Sequence, residues 1–331
     1  MTMNNNFLNN LLNSISVSGY EEQVQDIVEE EMKDYVDEVR RDEMQNVTCV
    51  INPNSDIRIM LSAHADEIGL MISNIREDGR LQVIDRGGIV PSTYPGHAIS
   101  IKTSKGIVYG VVEAYRELFK EKDLGTKQFL IDIGAKDRED ALSYVSIGDP
   151  IVLDTTIRKL ANDKFTARAL DDRLGVYIIM EAIKRAKKQG CTVGVYAAST
   201  TGEETTKTGA YWTSTRINPS MAIVVDVTYT SDCSGMDPAE MGTVLLGGGP
   251  VLCNSPIVVK ALNTKMEECA KTAGIQIQRE AASRLSYTDG DKIHFSNQGV
   301  PTVLVSIPLR YMHMPAEVAD EKDVELSLIH I

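Results

Sequence analysis

The 331-residue sequence is poor in the residues that several functions would need: one tryptophan, five phenylalanines and five cysteines. The cysteines (Cys49, Cys191, Cys233, Cys253 and Cys269) are odd in number, scattered and free of any C-x-x-C pair. That excludes a disulfide frame and a thiolate zinc site and suits a reducing, cytoplasmic setting with buried thiols. Basic charge is also short, with 34 Lys and Arg against 47 Asp and Glu and a net charge of −13. An acidic chain repels phosphate backbones, and no basic stripe interleaved with aromatics offsets this, so nucleic acid is excluded as a partner. No apolar run approaches the ~18 residues of a bilayer span, which excludes a membrane partner. The opening MTMNNNFLNN has neither a basic n-region nor an apolar h-region, so no secretory leader is expected. A G-x-S-x-G elbow is absent, which argues against a serine α/β-hydrolase. The run Gly247-Gly248-Gly249-Pro250 lacks a Gly-Lys-Ser/Thr ending and reads as a turn rather than a phosphate loop.

What is present is the composition of a folded protein, 43% apolar and 24% charged, with a length that suits about two domains. Residues 7–15 carry apolar side chains at helical spacing, and EEQVQDIVEEEMKDYV reads as an amphipathic helix with acids in its first turn. IRIMLSA reads as a buried strand. Between about residues 72 and 163 the pattern changes to short alternating segments (LQVID, AISIKT, IVYGVVEAY, QFLIDIG, PIVLDT) closely punctuated by Gly and Pro, as in a small barrel or sandwich. Beyond Arg168 the β/α alternation resumes: VYIIMEAIKRAKKQ as helix, TVGVYAAST and MAIVVDV as strands, IVVKALNTKMEECAKTAG as a strand-to-helix unit, PTVLVSIP as strand. The expected fold is an α/β domain with a mixed sheet, residues 1–71 and 164–331, interrupted by a β-barrel-like insertion over residues 72–163.

The polar residues that follow the apolar strands suggest chemistry. His64, Asp66 and Glu67 follow IRIMLSA; Glu203 and Glu204 follow TVGVYAAST; Asp226 closes MAIVVD; His313 comes shortly after PTVLVSIP. In open α/β sheets, ligands bind beyond the carboxyl ends of the strands. Asp171-Asp172, just ahead of a helix beginning near Leu174, adds a further candidate where an anion is favoured. Taken singly, each is ordinary: a satisfied polar histidine, a solvated acid pair, a helix cap. Asp226 differs, because a charge closing so apolar a run needs a partner. Together they form a nitrogen and oxygen donor set suited to Zn²⁺, Co²⁺ or Mn²⁺ without a soft sulfur ligand. Five ligands exceed what one catalytic metal needs, whereas two metals sharing one carboxylate would use all five and leave room for a water or hydroxide between them. Asp66 is spaced to orient His64, and Glu203 to act as a proton carrier. His97 reads as structural, His294 as core or surface, and His330 as solvent-exposed.

Five segments in register, LSAHADEIGLMI, ARALDDRLGV, STTGEETTKTGA, AIVVDVT and IPLRYMHMPAEV, resemble the glutamyl/leucyl aminopeptidase family of co-catalytic metallopeptidases. That family includes the TET aminopeptidases and relatives labelled endoglucanases, and the likeness covers nearly the whole chain. The resemblance implies an α/β catalytic domain interrupted by a β-rich dimerisation domain and metal-dependent release of amino-terminal residues from peptides. It also implies a homo-oligomer that is often a twelve-subunit particle. Asp171 would bridge two divalent metals, zinc or cobalt, across a candidate cis peptide to Asp172. His64 and Asp226 would complete one metal site, Glu204 and His313 the other. Asp66 would orient His64, and Glu203 would be the general base for a hydroxide bridging the metals. Two departures stand out. Thr205 and Thr206 replace the family's Val-Gly, and the chain stops with LSLIHI where relatives close with a helix, which reads as a truncation or a foreign tail. Two alternatives remain: a dinuclear metal hydrolase for a glycan or acylated amine, and an inactive assembly protein. Scarce aromatics speak weakly against glycan cleavage, which wants a sugar-stacking platform.

Overall fold

The computed structural model describes residues 5–331; the Met1–Asn4 stretch on which the leader reading partly rests lies outside them. Among the described residues the main feature is an eight-stranded mixed sheet. Its strands run in the order Glu38–Arg41, Val47–Ile51, Gly194–Thr200, Arg58–His64, Met221–Tyr229, Thr302–Leu309, Val251–Asn254 and Gln278–Ala281. The four middle strands, Gly194–Thr200 to Thr302–Leu309, are mutually parallel. Apart from Arg58, Ile59, Met221 and Tyr229 at strand ends, all their residues are buried. That explains why they read as unbroken apolar runs rather than alternating ones. Parallel register sends four carboxyl ends to the same edge, and these ends carry His64, the Glu203-Glu204 loop, Asp226 and the approach to His313.

The helix Leu170–Lys188 crosses one face of the sheet with Leu174, Val176, Tyr177, Ile178, Ile179, Met180 and Ile183 buried, joining the largest apolar core. Its regular part starts late. Asp171 and Asp172 have non-helical backbone angles and are joined by a cis peptide bond. The Asp172 carboxylate accepts the Gly175 N–H at 3.0 Å, a side-chain cap on the orphan first turn. A Cβ at Gly175 would sit 2.4 Å from that carboxylate, so the glycine of the D-D-x-x-G segment makes room for the cap.

Six strands close an antiparallel barrel in the order Gly69–Ile75, Leu81–Arg86, Ile131–Asp132, Gly106–Val112, Ala98–Thr103 and Pro150–Leu153. It has its own core, built on Leu70, Ile72, Leu81, Ile99, Phe129 and Ile151. A helix, Arg138–Tyr144, lies within this segment and starts on Asp137, whose side chain accepts the Asp140 N–H. The alternation of the flanking strands conceals it in the sequence.

Three further details depart from the sequence reading. IVV at 257–259 makes only the Val258 to Thr302 bridge, and the neighbouring strand is Val251–Asn254, because the chain turns at Pro256 into the helix Lys260–Ala273. The closing segment is a helix, Glu321–His330, started by Asp320 accepting the Lys322 N–H, with Val324, Ser327 and Leu328 buried. His330, expected in solvent, is 6% exposed and donates Nε2–H to the Met266 carbonyl at 2.9 Å, because that helix packs against Lys260–Ala273. No helix among the described residues is long and apolar enough to cross a membrane.

Candidate metal centre

At the carboxyl edge of the sheet the chain brings together His64, Asp66, Asp171, Glu203, Glu204, Asp226 and His313, the seven residues expected to ligate, to orient a ligand or to move protons. Asp171 is central. Its Oδ1 lies 3.1 Å from His64 Nε2, and its Oδ2 lies 3.1 Å from His313 Nε2. On the first side Asp226 Oδ1 is 3.9 Å from His64 Nε2. On the second, Glu204 Oε1 is 3.3 Å from His313 Nε2. Two groups of potential ligands result, His64–Asp171–Asp226 and Asp171–Glu204–His313, each with donor atoms within 4.8 Å of one another. Glu203 Oε2 lies 3.9 Å from His64 Nε2, and its other oxygen is ion-paired with Lys207. The edge opens into a cavity of about 480 Å³ whose wall includes Lys207, Thr228, Tyr287 and Met312 beside these residues.

The surroundings hold each group in place. His64 Nδ1 lies 3.1 Å from the Asp66 carbonyl oxygen and 3.5 Å from its carboxylate. The Asp66 carboxylate instead accepts the N–H groups of Glu203 and Glu204, at 3.0 and 3.2 Å. Asp66 thus ties the loop after one strand to the histidine of its neighbour. His313 donates its main-chain N–H to Glu317 at 2.9 Å, and the other Glu317 oxygen accepts Leu170 N–H at 2.8 Å. Glu67 is locked between Arg168 and the fully buried Arg173, at 2.6 Å from the latter.

Sequence reasoning assigned no role to Glu317, Arg173 or Lys207. The first two carried a usable signal: Glu317 lies inside a segment of the family pattern, four residues after His313, and Arg173 interrupts an apolar helical face, as a buried charge with a dedicated partner does. Lys207 had none, since it meets Glu203 only through a left-handed backbone turn at its own position.

The electrostatics are those of crowded, buried acids. Burial pushes Asp226 up to about 8 and holds Glu203 well above the ordinary carboxylate range, with His64 opposing in both cases. Burial likewise raises Glu204. Asp171 goes the other way, because the two imidazoles outweigh its desolvation. On His313 burial disfavours the charge, yet Asp171 and Glu204 push it up to about 12. Carboxylates buried this close together resist ionising at the same time, and a divalent cation among them would relieve both their desolvation and their mutual repulsion. Hard or borderline divalent cations fit this donor set, which holds nitrogen and oxygen and no sulfur.

A mixed α/β sheet with an inserted antiparallel barrel and this cluster at its strand ends puts the chain in the class of peptide-bond hydrolases. Residues 45–328 match M42 glutamyl aminopeptidase, and the chain belongs to that family. It is 33% identical over 328 residues to lysyl aminopeptidase of Pyrococcus furiosus, covering 96% of this chain and 92% of the relative. Among solved structures it is similar to a TET aminopeptidase from a marine-sediment archaeon of the Thaumarchaeota, with a TM-score of 0.92 and 30% identity over 98% of this chain and 93% of that one. It is also similar to the Pyrococcus horikoshii TET1 peptidase, described as able to assemble into a tetrahedron or a large octahedral shell, with a TM-score of 0.86 and 31% identity over 98% and 97% of the two chains.

Proposed function

We propose that the protein is an aminopeptidase that holds two divalent ions, zinc or cobalt, and removes amino-terminal residues from peptides. The observation that carries this reading is Asp171, each of whose oxygens faces a different histidine at 3.1 Å. His64 and Asp226 complete one binding group, Glu204 and His313 the other. When bound, such ions supply Lewis-acid activation of a water and of the scissile carbonyl. Glu203 then takes the proton the water gives up and passes it to the leaving amine, for which its carboxylate is near and its burial favourable. Asp66 keeps Glu203 in reach through the main chain and helps leave His64 Nε2 free to ligate. Lys207 orients Glu203 from the cavity wall.

The inserted unit, residues 72–163, is the dimerisation domain in this reading, and dimers build a dodecamer in the cytoplasm. Similarity to a TET peptidase that forms closed particles supports a homo-oligomer. So does the apolar outer face of the barrel, where Ile84, Ile107, Tyr109 and Val111 are exposed.

The test is Glu203→Gln on aminoacyl anilides. The variant is expected to bind metal as the parent does and to lose kcat by ~10²–10⁴, the contribution of a positioned base. Parental activity in a metal-loaded variant would refute the assignment.

A further inference from the structure

The two candidate histidines are held by different parts of the molecule. His64 Nδ1 faces the Asp66 carbonyl, two residues along its own loop. His313 Nδ1 faces the carbonyl of Gly88, in the barrel segment between the strands Leu81–Arg86 and Ala98–Thr103, at 2.9 Å. A carbonyl only accepts, so this contact puts a proton on Nδ1 and makes Nε2, which faces Asp171 and Glu204, the nitrogen that would ligate an ion. The fit around the segment is close. A Cβ at Gly88 would lie 3.1 and 3.2 Å from Nδ1 and Cε1 of His313. One at Gly87, whose φ is +77°, would lie 2.7 Å from Ile68 and 3.2 Å from the Glu204 side chain. The glycine pair therefore packs on both ligands that belong to one group alone, His313 and Glu204. No such barrel contact touches His64 or Asp226 among the described hydrogen bonds.

We infer that the inserted barrel is a working part of one half of the metal centre. The Gly87–Gly88 segment fixes the tautomer and ring orientation of His313, so that the Asp171–Glu204–His313 group depends on barrel docking while the His64–Asp171–Asp226 group does not. Gly88 is a positioning residue. The inference rests on the two-ion reading above. It adds an asymmetry: disturbing the barrel segment loosens one ion and spares the other.

Metal binding tests it, read by Co²⁺ titration with visible absorption and by elemental analysis after dialysis, on the full chain. The parent is expected to bind two ions per subunit. Gly88→Ala keeps the carbonyl but sets a Cβ 3.1 and 3.2 Å from the His313 ring, and is expected to keep one site intact and weaken the second by ~10–100-fold, as displacing the partner of a ligating histidine does. Gly134→Ala is the control for general strain and is expected to bind two ions like the parent. Gly134 is a barrel glycine with φ +80°, and a Cβ added there would meet no atom within 4 Å. Equal binding of both ions by Gly88→Ala overturns the inference, and so does equal weakening of both. Hydrogen–deuterium exchange of the unaltered protein provides a reading that needs no variant to fold. Adding Co²⁺ is expected to slow exchange across residues 86–90, and unchanged exchange there counts against the coupling. If the parent binds no ion, the proposed function itself falls, an outcome distinct from either result with Gly88→Ala.

Discussion

At the residue scale, the chemistry depends on carboxylates buried further than carboxylates normally are. Those nearest the proposed ions are not the cleanest place to see this. Glu280 lies apart from them, half-buried, accepting hydrogen bonds from Thr228 and from Ser306, the latter at 3.1 Å. Burial raises its proton affinity above the ordinary glutamate value of 4.5. A group with a raised folded-state pKa stabilises the fold fully below its unfolded value, and that contribution is lost as pH rises through the folded value. Glu280→Gln removes the titration. The stability of the variant relative to the parent should therefore grow as pH is taken from about 4 to about 8, read as the difference between their melting temperatures at each pH. A difference that stays flat would show that Glu280 does not feel its burial. Sequence reasoning finds the ligand candidates because histidines and acids after apolar strands are visible in one dimension. The partners that orient them are less visible. The spacing suggests that Asp66 acts on His64 through its carboxylate, but the shorter contact comes from its carbonyl, and the carboxylate holds the next loop. Main-chain acceptors such as this one, or Gly88, leave no trace in residue type.

At the scale of elements, the helix Leu170–Lys188 fixes the site because its non-helical start carries Asp171 and its apolar length anchors it to the sheet. Arg173 adds a second anchor. Fully buried, it donates to the carbonyls of Leu11 and Ser14 at 2.8 Å and pairs with Glu67 at 2.6 Å. Arg173→Met would keep the volume but leave these acceptors short of a donor. Removing one partner of a buried pair typically costs ~3–5 kcal/mol, and a loss of that order is expected in urea unfolding. A change below ~1 kcal/mol would mean that Arg168 alone satisfies Glu67. Most elements are legible because their periodicity is strong: the four central strands are too apolar to lie anywhere but inside. Short segments are ambiguous. IVV reads as a strand, although three β-branched or branched apolar residues ahead of a helix suit its entry equally well. LSLIHI lacks a strong apolar period, and it forms the last turns of the helix started by Asp320.

At the scale of the whole molecule, a barrel with its own core is inserted in a larger sheet domain, and its Gly88 carbonyl lies against the His313 ring. Its outer face is exposed and apolar, and it is where the proposed second copy would pack. Ile107, Tyr109 and Val111 alternate along one strand, so all three point to the same side, and Tyr109 is 65% exposed. Tyr109→Glu places a charge in the middle of that face. Light scattering at micromolar concentration should show it shifted to a smaller species than the parent, with its circular dichroism unchanged. An unaltered assembly would move the interface elsewhere. No property of the chain read in isolation gives the size of the assembly, because closure depends on angles between subunits rather than on the composition of any one of them.

The most direct measurement is an anomalous-scattering map from crystals of the zinc-loaded protein. Two peaks are expected per subunit, one on each side of the Asp171 carboxylate, the first against His64 and Asp226 and the second against Glu204 and His313. A single peak, or peaks that Asp171 does not share, would contradict the two-ion centre.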